Sequence, residues 1–148
     1  MRIIRLSKAA TVATIALFAS LVAFGNITDY GTNWAFVQHV LSMDTVFPTT
    51  TTKYRAIDDP TLQTAAYVLI IAAETATAIL CWIGAVRLLR ASGDAVAFNR
   101  SKGVAIAGLT LGFLVWQVGF MSIGGGSACG CRRNGMECPT PSASSSRS

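Results

Sequence analysis

Three runs of apolar residues, each near the length that crosses a bilayer, constrain this chain more than any motif in it. They occupy residues 9–25, 61–86 and 104–123, and Glu74 is the only charged residue inside them. A helix rises about 1.5 Å per residue and the hydrocarbon core is about 30 Å thick, so a span needs roughly 20 residues. In lipid the backbone must satisfy its own hydrogen bonds, and a helix does so within one segment. Three such runs in 148 residues predict an all-α, multi-pass transmembrane helical bundle. The spans are expected at about 6–25, 63–86 and 104–123. The first is extended by Leu6, Ser7 and Lys8, since a lysine stem can reach the interface.

The charges sit between the runs. Arg2, Arg5 and Lys8 precede the first, and Arg87, Arg90, Arg100 and Lys102 separate the second from the third. The formal net charge of +5 does not imply nucleic acid. No basic groove with interleaved aromatics is present, and no compact polar domain could carry one. The cations read as topology determinants and contacts to anionic headgroups. The outer loop, 26–60, sets Lys53 and Arg55 against Asp29, Asp44, Asp58 and Asp59. The amino terminus is therefore expected to be cytoplasmic and this loop outside. Arg132 and Arg133 fit poorly with the outside position that three spans give the carboxyl end. Three cations before an apolar run also describe a secretory leader, with Ala23-Phe-Gly25 as its cleavage site. An uncleaved anchor is expected, because two further spans follow.

Local signals divide the runs. Asp58, Asp59 and Pro60 suit a helix start, and Arg87 and Arg90 suit its end. Thr11 and Thr14 can bond back to carbonyls one turn earlier. Gly108 and Gly112 form a GxxxG pair that permits close helix approach. In the outer loop, Trp34, Val37, Val40 and Leu41 recur at helical spacing, which predicts a short helix lying in the interface or tucked over the bundle.

Glu74 is the residue most open to a chemical role. It lies about fourteen residues into its run, near mid-membrane, where an unpaired carboxylate costs a few kcal/mol. Its candidate partners are the hydroxyls of Thr75, Thr77 and Thr110, the amide of Gln117, or a group on another helix. It serves either as interhelical glue or as a proton, cation or substrate site, and Glu74, Gln117 and Thr110 are the intramembrane polar candidates. An enzyme is not expected. His39 and Asp44 share the outer loop but lack a nucleophile with a reason to be activated. Cys81 reads as a small hydrophobe. Cys129, Cys131 and Cys138 do not have zinc-finger spacing, and no metal or cofactor is expected. The acceptor triplet Asn26-Ile-Thr28 abuts the membrane and carries little weight. The bilayer is the expected partner, with a second copy or another membrane protein as further candidates.

The stretch Asn26-Ile-Thr-Asp-Tyr-Gly-Thr-Asn-Trp-Ala-Phe-Val-Gln-His-Val-Leu-Ser-Met-Asp-Thr-Val-Phe-Pro48 resembles the signature of a bacterial family of predicted small integral membrane proteins, DUF2165. The likeness continues through Ala66, Tyr67, Ile70 and Glu74 and through residues 112–125. It makes Asn26, Asp29, Tyr30, Asn33, Gln38, His39 and Asp44 the residues of an outer-loop motif. It implies a domain over 1–125, a place in the inner membrane and four transmembrane helices, and it brings no activity.

The tail, 126–148, departs from that resemblance. Family members look as if they continue with Glu-Trp, a Met-Trp pair, Trp-Asn-Gly and a final apolar helix. Here the tail is rich in Gly, Cys, Ser and Pro, a composition expected to be disordered. Permitted codons can be chosen for it that, read from the third base of each, give as one consistent result Glu-Cys-Met-Trp-Met-Ser-Pro-Glu-Trp-Asn-Gly-Met-Pro-Asn-Ala-Phe-Arg-Phe-Val-Ile-Thr. That string restores the pattern and opens an apolar run. A shifted reading frame is therefore expected, an expectation that the gene's nucleotides test directly.

Overall fold

The computed structural model describes residues 2–43 and 56–124. Helix α1 spans Arg2–Thr28, α2 Tyr30–Ser42, α3 Pro60–Arg90, α4 Ala95–Arg100 and α5 Lys102–Leu114. Beyond α5 the chain continues as a π-helical segment, Val115–Gly124. The described chain is a three-span helical bundle: Arg2–Thr28, Pro60–Arg90 and Ala95–Gly119 are each long and apolar enough to cross a membrane.

The ends follow from local chemistry. At the start of α3 the Asp59 carboxylate accepts the Thr61 N–H at 2.8 Å, and Pro60 sits where a missing N–H costs nothing. Arg87 and Arg90 occupy its last turn, where cations suit the dipole. Thr11 and Thr14 each bond to the carbonyl four residues back, at 3.0 Å.

Helix α3 is the central element, and both other spans run antiparallel along it. On one side Ser20 of α1 meets Trp82 of α3, whose Nε1 donates to the Ser20 hydroxyl at 3.1 Å. Six residues later on α1, Asn26 meets Glu74. On the other side Ala105, Gly108 and Gly112 of α5 meet Gly84, Cys81 and Thr77 of α3 in turn. Small residues make both seams. On α1 the buried set is Ala9, Val12, Ala16, Ala19 and Ala23, a stripe of three- and four-residue steps. Cys81 is fully buried at the α5 seam. Large side chains such as Leu21, Phe24, Leu69 and Phe113 point outward, as a lipid-facing surface requires.

Two boundaries differ from the sequence reading. The outer loop does not begin at residue 26, because α1 runs unbroken to Thr28. Nothing before Asp29 interrupts the helix, and Gly25 alone is tolerated within it. The helix expected around Trp34 is α2, and a single residue, Asp29, separates it from the end of α1. Trp34, Val37, Val40 and Leu41 form part of its half-buried side. The second difference is α4, which lies in what read as a polar connection between spans. Its signal was Asp94, whose carboxylate accepts the N–H groups of Val96 at 3.2 Å and Ala97 at 3.0 Å. The remainder of the outer loop, including Asp44, and the tail with Cys129, Cys131 and Cys138 lie outside the described residues.

Those two backbone donors, Ala97 foremost, with Arg5 nearby, hold the Asp94 carboxyl below its ordinary value. A value lowered by folding adds stability above the unfolded carboxylate range and loses it as pH falls through the depressed value. Asp94→Ala is accordingly expected to speed hydrogen exchange at Val96 and Ala97 at neutral pH. The difference from the native chain should shrink only in strong acid. Equal exchange at neutral pH would mean that the cap does not hold α4.

Candidate functional site

Glu74 is fully buried between α1 and α3. Its Oε2 accepts from the Asn26 side-chain amide at 2.7 Å, a short and therefore strong contact. Its Oε1 is buried with no hydrogen-bond partner. The Tyr67 hydroxyl, two turns earlier on α3, donates to the Asn26 backbone carbonyl at 3.0 Å. Asn26 is thus held at both its side chain and its backbone, and each bond ties the end of α1 to α3.

The aromatic and amide residues of α2 continue this arrangement. Tyr30 meets the Tyr67 ring edge-on, with centroids 4.9 Å apart, and Trp34 lies 5.8 Å from it. The Gln38 amide donates to the Gln63 side-chain carbonyl at 3.4 Å. Gln63, buried, donates to the Ile57 carbonyl at 2.7 Å, and the Ile57 N–H donates to Leu41 at 2.9 Å. At the α1–α2 break the Asn33 amide donates to the Asp29 carbonyl at 3.0 Å and to that of Gly25 at 3.4 Å.

The structure therefore gathers Asn26, Tyr30 and Gln38 of the outer-loop motif against α3, with Asn33 and Asp29 at the hinge between α1 and α2. His39 is on the exposed side of α2. Thr110 and Gln117 are exposed on the third span. The hydroxyls expected to serve Glu74 are engaged elsewhere: Thr75 bonds to Ile71 and Thr77 to Ala73, each at 2.8 Å. The partner is Asn26, which the sequence reading placed in a loop. Asn26 directly follows the first apolar run and nothing stops the helix before it, so its helical position was legible, whereas its pairing with Glu74 was not.

The lengths of α1 and α3 locate Glu74 along the bundle. It is mid-helix on α3, but α3 has 31 residues, about 46 Å, and exceeds the hydrocarbon core. Its neighbour Asn26 lies two residues before α1 ends, about 27 Å along α1 from Lys8. Glu74 and Asn26 therefore meet about 20 Å along α3 from Arg87.

A chain of this kind, with three helices long and apolar enough to span a membrane and a buried acid, Glu74, tied across two of them, is a multi-pass α-helical membrane protein. Residues 4–127 match the family described as "Predicted small integral membrane protein (DUF2165)". The match covers most of the chain, and the protein belongs to that family. No curated protein and no solved structure matches it.

Proposed function

We propose that the protein is a structural or accessory component of the membrane, in which Glu74 clamps α1 to α3. The observation that carries this reading is the 2.7 Å bond from the Asn26 amide to a carboxyl group with no exposed surface. A second reading, a small proton- or cation-coupled carrier or channel subunit, draws support from one atom. Glu74 Oε1 is a buried acceptor with capacity left over, which a proton or cation would use.

Glu74→Gln separates the two. A glutamine carbonyl can still accept from Asn26, but the side chain no longer titrates. The clamp reading expects normal insertion, normal assembly and an unchanged phenotype, with Glu74→Ala impaired. The carrier reading expects normal assembly with loss of proton or cation flux in proteoliposomes. Flux in the native protein that Glu74→Gln abolishes would displace the clamp as the function.

We further propose residence in a bacterial inner membrane with the amino terminus cytoplasmic. Support comes from the antiparallel packing, which puts Arg2, Arg5, Lys8, Arg87, Arg90, Arg100 and Lys102 at one end. Side-specific thiol labelling of a cysteine placed in the turn between α3 and α4 tests this. The shifted-frame reading of residues 126–148 draws support from a family match that stops at residue 127.

A further inference from the structure

At the cationic end, α1 and α5 flank a groove of about 320 Å³. Val12, Leu88, Phe98, Ile106 and Leu109 give it an apolar lining, and Lys8 and Lys102 line it as well. We propose that this groove binds one anionic glycerophospholipid, its phosphate between the two lysines and the upper part of one acyl chain along the apolar wall.

The charge complementarity is local. Lys102 Nζ lies 5.6 Å from the centre of the Phe98 ring, which fixes one ammonium at the groove. Arg5, one turn before Lys8 on α1, has a buried guanidinium nitrogen with no hydrogen-bond acceptor. Asp94, the one acidic residue at that end among the described residues, is occupied in capping α4. An anion there meets Lys8 and Lys102, while Asp94 faces Arg5 and the start of α4.

The dimensions favour a lipid over a protein partner. A methylene is close to a water molecule in size, about 30 Å³, so the groove holds roughly ten such groups. That suits part of an acyl chain and is too narrow for a helix. From Lys102 to Leu109 the wall descends about 10 Å, from headgroup level into the chains. Basic pockets between transmembrane helices bind acidic headgroups in the same way.

The test is native mass spectrometry of the full chain in detergent. Phosphatidylglycerol and phosphatidylcholine with identical chains are titrated in parallel, with glycerol phosphate as a chainless control. The native protein should prefer phosphatidylglycerol and should not retain glycerol phosphate. Lys8→Gln and Lys102→Gln should each lower that preference about fivefold, and the pair about thirtyfold. Thr11→Phe, which fills the groove and leaves every cation in place, should weaken both lipids. Equal binding of the two lipids overturns the proposal. So does a preference that survives the double substitution, and so does glycerol phosphate binding as tightly as the lipid.

Discussion

Gly84→Val is expected to prevent the bundle from holding its third span. A Cβ at position 84 would lie 2.7 Å from the Ala105 Cα and 2.9 Å from its backbone nitrogen. Such separations do not occur between packed atoms, and a backbone cannot rotate away as a side-chain tip can. The two helices must part. Their seam runs on through Gly108, where an added Cβ would lie 2.9 Å from the Cys81 backbone nitrogen, and Gly112, where one would lie 2.9 Å from the Thr77 methyl. Parting at one point loosens dispersion contacts along all of it, and in lipid those contacts are much of what holds helices together.

The cost should be about 3 kcal/mol or more, the upper range for overpacking, read as a lowered midpoint in a detergent unfolding titration. Gly108→Val should follow closely. Gly112→Ala should cost less, because its obstacle is a single methyl group. Gly103→Ala meets nothing within 4 Å and should be neutral or slightly stabilising. If Gly84→Val unfolds at the same midpoint as Gly103→Ala, the α3–α5 seam is not as close as the structure has it.

How far such contacts can be read from residues alone depends on their type. The spans were legible because hydrocarbon imposes length and polarity on every residue in them. The caps at Asp59 and Pro60 were legible because their chemistry is local. The GxxxG pair at Gly108 and Gly112 pointed to a close approach, and both glycines lie on the α3 seam. Gly84 gave no such sign, because its obstacle, Ala105, is more than twenty residues away and appears only once α3 and α5 are in register. The alanine stripe of α1 was present at positions 9, 16, 19 and 23, yet an alanine in a lipid span is unremarkable until another helix covers it. Asn26 was hidden for a different reason. Polarity after an apolar run reads as a loop, whereas the helix carries that polarity one more turn and delivers it to Glu74. The long-range hydrogen bond depends on the α1–α3 register, a property of packing that no local pattern encodes.

Removing Asn26 should be the most damaging single change at that junction. Asn26→Ala leaves the Glu74 carboxyl fully buried with neither oxygen bonded to a partner among the described residues. The lost contact and the stranded group together should cost about 2 kcal/mol. Glu74→Ala strands only a neutral amide near the end of a helix, so its cost should be smaller. The double variant tests the contact itself. With both groups gone nothing polar is left unmatched, and its loss should fall below the sum of the two single losses by about 1–2 kcal/mol. Additive losses would mean that the two side chains act independently and that the 2.7 Å contact holds nothing together. Tyr67→Phe supplies an internal check, since it removes only the hydroxyl that anchors the Asn26 carbonyl. It should reduce the measured coupling without abolishing it, because an amide no longer fixed through its backbone meets the carboxyl group less often.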